Sequence, residues 1–227
     1  MADSSDRQIE YRGYVPSDAD AMAKLLAEVF SRHDPPAVAA GLSATEFEVF
    51  VRLLCPQVAA DGLTIVARLA GSGELVGALL TEDSASAPPD GMDRLSAKFN
   101  PIFDLLGQLE AEYRGNRKVH PGESLHLFLL GVSDRVAGRG VAQQLVAACL
   151  EHGKRRGYRV AVTEATNKIS QHVFRKQGFV ERVKRSYAAH RFDGQHVFAS
   201  ITEQGGPILM DKSLAWPPVD ERNRDLR

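Results

Sequence analysis

A glycine-rich turn is the segment of this sequence whose residues are best suited to bind a ligand. Gly138 and Gly140 flank Arg139, and the turn leads from an apolar run ending at Val132 into a helical pattern. Glycine lets the backbone turn tightly and approach a ligand closely. The amides and the dipole at a helix start favour an anion, and Arg139 adds a charge suited to phosphate. The pattern predicts a pyrophosphate-binding turn over Gly138–Ala142.

Other interpretations of this turn can be weighed from the residues alone. Two glycines can simply join a strand to a helix, and that alternative stays open at this point. The sequence contains no GxxxxGK followed by Ser or Thr, and the turn lacks the GxGxxG spacing of dinucleotide-binding folds. It also follows a helical segment and a hairpin rather than the first strand of a βαβ unit. P-loop and Rossmann-type sites are therefore excluded.

The segments before the turn predict helices followed by a hairpin. A capping pattern at Ser17 opens a helix that stops before Pro35, and a second one at Ser43 opens a helix up to Pro56. Two apolar runs within residues 63–80, separated by small turn residues, predict an antiparallel hairpin. A helical stretch follows and is broken near an Asn-Pro pair.

The segments around and after the turn predict a β-α-β-α run and closing strands. Strands are expected at 124–132 and 158–163, with helices at 140–156 and 167–177. Alternating residues after Phe179, with an Asp-Gly turn, predict paired strands. The order of elements indicates an α/β (α+β) fold with a mixed sheet rather than a doubly wound one.

Composition excludes several classes of protein. Lys+Arg 28 balance Asp+Glu 29 in 227 residues, which gives no electrostatic footprint for nucleic acid. No apolar run reaches the roughly 20 residues of a bilayer span, and the amino terminus lacks a secretory core. Cys55 and Cys149 have no metal-ligand spacing. We expect a cytoplasmic, metal-free monomer or homodimer, with one domain over 9–214 and flexible tails at 1–8 and 215–227.

The turn region resembles the acetyl-CoA motif of the GNAT superfamily of acetyltransferases, written Q/R-x-x-G-x-G/A. Arg135, Gly138 and Gly140 satisfy that spacing in one register. In the other register Gly140 and Ala142 are the small residues, and Ala137 stands where Gln or Arg is usual. Downstream, Asn167-Lys-Ile-Ser-Gln-His-Val-Phe-Arg-Lys-Gln-Gly-Phe179 is similar to the second family signature, N-x-x-a-x-x-l-Y-x-k-x-G-F.

Two further stretches resemble the arylalkylamine N-acetyltransferases of the insect, dopamine-acetylating type. A helix ending in Phe30 is followed by Asp34 and Pro35, and His190-Arg-Phe-Asp-Gly-Gln-His-Val-Phe198 is similar to their closing turn. The resemblance implies a mainly antiparallel sheet that is flanked by helices and splayed at the acetyl-CoA strand. It also implies transfer of an acetyl group to a small primary amine, of the arylalkyl kind, by direct attack in a ternary complex.

The resemblance implies which residues hold acetyl-CoA, the co-substrate. The pantetheine arm is expected along the strand ending at Val132, with a backbone amide near Leu130 polarising the thioester carbonyl. The side chain of Asn167 stands at the family's Asn position and would bond the arm, although Asn is also a common helix N-cap. The predicted cofactor-binding residues are Leu130, Val132, Gly138, Arg139, Gly140, Val141, Ala142 and Asn167.

Two residues compete for the role of the base that takes the proton of the attacking amine. His126 lies on the strand that the family places against the site, and an unperturbed histidine pKa near ~6.5 suits proton removal at neutral pH. Asp34 stands at the acidic position that the dopamine-acetylating likeness makes catalytic. Each has a structural alternative, a hydrogen-bonded core histidine or a turn residue before Pro35. We favour His126 because the likeness places it nearer the thioester.

The donor for the leaving thiolate is harder to assign. The family often uses a tyrosine in the helix after Asn167, but this chain has Phe174 there. Ser170, one turn after Thr166, matches a serine pair of the arylalkylamine relatives and is the predicted donor. A structural hydroxyl is the alternative.

Two other functions remain open on the sequence. The acceptor could be a peptide, protein or antibiotic amine, because the phenylalanines that would close a small pocket, such as Phe47 and Phe50, also fit helix cores. The missing tyrosine at Phe174 also fits an acyl-CoA-binding regulatory domain without turnover. Release of CoA thiol with a panel of amines separates these possibilities.

Overall fold

The computed structural model describes residues 8–214, whose strands form one seven-stranded sheet. Its order is β1-β2-β3-β4-β5-β7-β6, and within this sheet β4 and β5 run parallel while the other neighbours are antiparallel. The predicted mixed, mainly antiparallel sheet is confirmed. The strands are β1 (Ile9–Gly13), β2 (Ile65–Leu69), β3 (Leu75–Asp83), β4 (Ser124–Val132), β5 (Val160–Ala165), β6 (Val180–Lys184) and β7 (Ile208–Ser213).

Helices cover both faces of the sheet. One buried apolar cluster lies under α1, α3 and α4, and a second lies under α5 and α6. Burial of these apolar faces supplies the main force that holds helices and sheet together. The α-helices are α1 (Ala19–His33), α2 (Pro35–Ala39), α3 (Ala44–Asp61), α4 (Asn100–Arg114), α5 (Val141–Arg155) and α6 (Lys168–Lys176).

The predicted helices before the hairpin are present, but the expected cap at Ser17 is wrong, because Ser17 lies in a 3-10 turn and α1 begins at Ala19 without a side-chain cap. The capping box of α3 forms as expected, since Glu46 N donates to Ser43 Oγ at 3.2 Å and Ser43 N donates to Glu46 Oε2 at 2.9 Å. The expected stop at Pro56 is wrong, because α3 continues to Asp61. Val58, beyond the proline, is buried in the core, and this packing offsets the hydrogen bond that proline removes.

The hairpin is confirmed as β2 and β3, whereas the closing segment differs from the prediction. β6 and β7 pair with each other, but residues 185–207 between them form a long loop. The Asp-Gly turn holds one isolated bridge, between Phe192 and Gln195. The apolar residues of this loop, such as Tyr187 and Phe198, are buried in the cluster under α1 and α3 rather than in a strand.

The amino-terminal edge of the sheet has no counterpart in the sequence patterns. β1 pairs with β2 from Ile9 opposite Leu69 onward. The Gln8 carbonyl accepts a hydrogen bond from Ala70 N at 2.9 Å, so contact with the sheet begins inside the predicted amino-terminal tail. The remainder of the predicted tails, 1–7 and 215–227, lies outside the described residues. No helix within residues 8–214 is long and apolar enough to cross a membrane.

Candidate active site

The sheet opens between its two parallel strands. β4 and β5 pair only as far as His126 opposite Val162 within the described chain. Beyond that point Thr163 Oγ1 donates to the Leu127 carbonyl at 2.9 Å in place of a strand-to-strand bond. The later residues of β4 therefore present backbone N–H and C=O groups to a gap. Backbone groups that lack a neighbouring strand are available to pair with a ligand.

The glycine-rich turn joins the end of β4 to α5. Gly138 and Gly140 both have a φ of 74°, a left-handed conformation that residues with a Cβ rarely adopt. Gly140 is the N-cap of α5, and no side chain in residues 8–214 caps that end, so the first-turn amides keep their donors for a ligand. A Cβ at Gly138 would meet no atom within 4 Å, so the turn faces open space. This geometry fits a pyrophosphate group.

The other residues predicted to bind the cofactor differ in how exposed they are to a ligand. Val141 is buried in the core, so only its backbone could meet a ligand, and Ala142 behind it is half-buried. Leu130 and Val132 are half-buried along the gap. Arg139 is exposed, and its charge opposes the burial that raises the pKa of the nearby Tyr11.

An aromatic cavity of about 880 Å³, its open mouth included, lies beside the gap. Phe30 and Phe47 stack in its wall with ring centroids 4.9 Å apart, and Phe50 meets Phe128 edge-on at 6.0 Å. Leu130 completes the wall on the β4 side. The polar residues that line this aromatic cavity are His33, Asp34, Thr163, Glu164, Thr166, Asn167 and Ser170.

Asp34 joins α1 to α2 and presents a buried carboxylate to the aromatic cavity. Its Oδ2 accepts from Ala37 N at 3.1 Å as the N-cap of α2, and its Oδ1 accepts from Thr166 Oγ1 at 2.6 Å. Burial raises the pKa of Asp34 to about 6, although both hydrogen bonds act to lower it. A carboxyl group with this pKa is ionised at neutral pH and can still accept a proton there.

His126 has a different environment. Its Nδ1 lies 2.9 Å from Glu82 Oε1, and its Nε2 lies 2.7 Å from Glu164 Oε2. Burial alone lowers the pKa of His126, but the two carboxylates together raise it to about 10. This corrects the expectation of a histidine that titrates near neutrality. His126 also lines a second cavity, shared with Tyr113 and Arg114, and is not among the residues that line the aromatic cavity.

A family comparison covers the opened strands and the glycine-rich turn, but not Asp34. The model of the acetyltransferase (GNAT) family matches residues 60–179, which include the opened strands, the glycine-rich turn and α6. The chain belongs to the GNAT family of acetyltransferases. It is accordingly an acyltransferase enzyme, and the predicted family is confirmed.

Solved structures share the fold at low sequence identity. The C-terminal condensation domain of Ebony, in complex with beta-alanyl-dopamine, has a TM-score of 0.83 at 14% identity, over 91% of this chain and 99% of that chain. Arylalkylamine N-acetyltransferase 2 from Aedes aegypti has 0.78 at 20%, over 92% and 100%. A Drosophila melanogaster polyamine N-acetyltransferase that forms N-acetylagmatine has 0.74 at 18%, over 91% and 100%.

Asn167 and Ser170 form the capping box of α6 in this GNAT fold. Ser170 N donates to Asn167 Oδ1 at 2.8 Å, and Ser170 Oγ donates to the Asn167 carbonyl at 2.9 Å. Both residues also line the aromatic cavity. The N-cap role considered for Asn167 is therefore present. Contact with the pantetheine arm and proton donation by Ser170 stay predictions, and donation requires the Ser170 hydroxyl to turn away from the carbonyl.

Two functional candidates escape the sequence patterns. Tyr187 Oη donates to the Thr166 carbonyl at 2.6 Å, and burial together with the charge of Asp34 raises the pKa of this phenol well above its usual value. Tyr187 comes from the long loop, whose course no local pattern predicts. Glu164 is the charged residue of a mostly apolar strand, which is a detectable signal. Phe174 lines the cavity and packs edge-on against Phe179 at 5.1 Å.

Proposed function

We propose that this GNAT enzyme transfers the acetyl group of acetyl-CoA to a small primary amine, within a single domain over residues 9–214. The observation that carries the proposal is that the β4–β5 gap opens beside a cavity holding the buried carboxylate of Asp34. The phenylalanine rings of that cavity fit the apolar body of a small amine, arylalkylamines included. A peptide or protein acceptor would instead require an open groove.

The residues of the gap and the turn fit acetyl-CoA. The amides from Gly138 to Ala142 would hold the pyrophosphate, with Arg139 at its edge, and the backbone from Leu130 to Val132 would pair with the pantetheine arm. When bound, acetyl-CoA supplies an acetyl group activated as a thioester. A backbone N–H at Leu130 or Val132 aimed at the thioester oxygen would stabilise charge that develops there.

Asp34, rather than His126, is the base in this proposal. An amine attacks only in its neutral form, so its proton must leave before or during attack. Asp34 lines the aromatic cavity, and its carboxylate can take that proton directly or through a water. His126 already carries a proton between two carboxylates and has no free nitrogen to accept another.

Turnover distinguishes this enzyme from a domain that only binds acyl-CoA. We expect acetyl-CoA to lose its thiol group faster when a small amine is added, as measured by thiol release over a panel of arylalkylamines, diamines and lysine peptides. Binding of acetyl-CoA with no acceleration by any amine would instead support the regulatory-domain alternative. Acceleration by the lysine peptides alone would show that the acceptor is an amino group of a peptide or protein.

The glycine-rich turn is tested by binding. A side chain at Gly140 would occupy the approach to the amides, so Gly140→Val should weaken CoA binding at least about tenfold in calorimetry, a loss of about 1.4 kcal/mol. Gly157→Val is the matched control, because Gly157 also has a positive φ, of 89°, but lies beyond the other end of α5. Equal affinity in folded Gly140→Val and Gly157→Val proteins would contradict the assigned turn.

A further inference from the structure

Glu164 forms part of the wall between the aromatic cavity and the second cavity, since it lines both. Its Oε2 contacts His126 Nε2 at 2.7 Å, and Glu82 contacts the other ring nitrogen at 2.9 Å. A carboxylate oxygen only accepts hydrogen bonds, so both nitrogens of His126 must donate. The ring is therefore an imidazolium held between two anions.

The three groups together leave one negative charge at this wall. Two carboxylates and one imidazolium sum to a charge of -1, and the side chain of Glu164 is only 11% exposed. The second oxygen of Glu164, Oε1, makes no hydrogen bond to any residue within 8–214, while Oε2 is used by His126. Within the described residues Oε1 is not sealed from solvent, so a ligand in the aromatic cavity can reach it with a hydrogen-bond donor or a positive charge.

Asp34 and Glu164 both line the aromatic cavity, and their positions set the distance between two carboxylates there. Glu164 and Thr166 are two residues apart on an extended chain, so they share one face about 7 Å apart. Thr166 Oγ1 lies 2.6 Å from Asp34 Oδ1, which places the base at one end of this spacing. Phe128, whose ring is 5.1 Å from that of His126, provides an aromatic face that also attracts cations.

We propose that Glu164 binds a second cationic group of the acceptor, so that the enzyme prefers short dicationic amines to monoamines. This inference rests on the proposed acetyl transfer. The reacting amino group lies at Asp34, a short aliphatic chain crosses the phenylalanine rings, and the distal ammonium or guanidinium pairs with Glu164. Glu164 is a specificity-determining residue in this assignment, and His126 with Glu82 holds its carboxylate in place.

The test compares two amines of equal length. Putrescine and pentylamine differ by one terminal ammonium in place of a methyl group, and phenylethylamine supplies an aryl tail without a second charge. We expect kcat/KM for putrescine to exceed that for pentylamine at least about tenfold, or about 1.4 kcal/mol. Glu164→Gln should reduce this ratio toward one, mainly through KM for putrescine, because the lost contact exists before and during the reaction.

The control is Glu110→Gln, which removes a carboxylate that lines the second cavity but not the aromatic one. Glu110→Gln should keep the wild-type ratio of kcat/KM for putrescine to kcat/KM for pentylamine. If Glu164→Gln does not fold, the wild-type ratio and the Glu164→Asp variant still decide. Pentylamine or phenylethylamine acetylated as well as putrescine would overturn this inference alone, while no acetylation of any of the three amines would overturn the proposed function with it.

Discussion

Asp34 and His126 are both buried beside the opened strand pair, yet opposite forces raise their pKa values. Around Asp34 the hydrogen-bond donors are neutral, so burial dominates and favours the uncharged acid. Around His126 two carboxylates dominate over burial and favour the charged ring. One group is thus left able to exchange a proton near neutral pH, whereas the other is held as a cation.

The difference assigns the two residues different roles. Asp34 faces the aromatic cavity, where an amine would lose its proton. His126 neutralises one of two carboxylates that would otherwise repel each other across β3, β4 and β5. Asp34→Asn should therefore slow the reaction, whereas His126→Gln should chiefly destabilise the fold.

The largest expected effect is on the rate of Asp34→Asn. The amide cannot accept the proton of the attacking amine, so kcat/KM at pH 8 should fall roughly 10²–10⁴-fold, as is typical when a general base is removed. Asp90→Asn, which changes an exposed aspartate in a loop, should match the wild type. Full activity of Asp34→Asn in a steady-state assay would show that Asp34 is not the general base.

The second effect is a loss of stability in His126→Gln. The pKa of His126 is raised from 6.5 to about 10 in the fold, so its contribution is fully present below pH 6.5 and is lost as pH rises through 10. We expect the free energy of unfolding at pH 6.5 to fall by about 3 kcal/mol, because Glu82 and Glu164 lose their shared cation. His196→Gln, at an exposed histidine, is the control. Denaturant unfolding at pH 6.5 and pH 10 measures both, and an equal loss at both pH values would contradict the ion-pair account.

A smaller effect of opposite sign is expected for the stability of Asp34→Asn. The pKa of Asp34 is raised from 3.8 to about 6, so its ionisation destabilises the fold as pH rises from 4 to 6 and fully above that. Asparagine does not ionise and remains a good N-cap for α2. The variant should be more stable than the wild type by roughly 2 kcal/mol at pH 8, with the gain vanishing near pH 4. A variant that is less stable than the wild type at pH 8 would show that burial of the ionised Asp34 carboxylate does not destabilise the fold.

Local patterns in the sequence predict the parts of the site that one segment builds. The glycine-rich turn and the capping box of Asn167 with Ser170 are each made within a few consecutive residues. The placement of Asp34 after α1 was likewise accessible from a helix end followed by two prolines.

Contacts between distant strands explain what the sequence could not predict. Glu82 lies 44 residues and Glu164 lies 38 residues from His126. Glu82 meets His126 because the β3–β4 register sets them opposite each other. A histidine judged alone has an ordinary pKa, and only the register supplies the two carboxylates that change it. The course of Tyr187 in the long loop depends in the same way on tertiary packing.

The pH dependence of kcat/KM tests most directly that Asp34, and not His126, is the base. For wild-type enzyme the profile should rise with an apparent pKa of about 6, the value that burial gives Asp34. In His126→Gln that limb should persist, and in Asp34→Asn it should disappear along with most of the rate. A limb near pH 6 that is lost in His126→Gln and kept in Asp34→Asn would contradict the account.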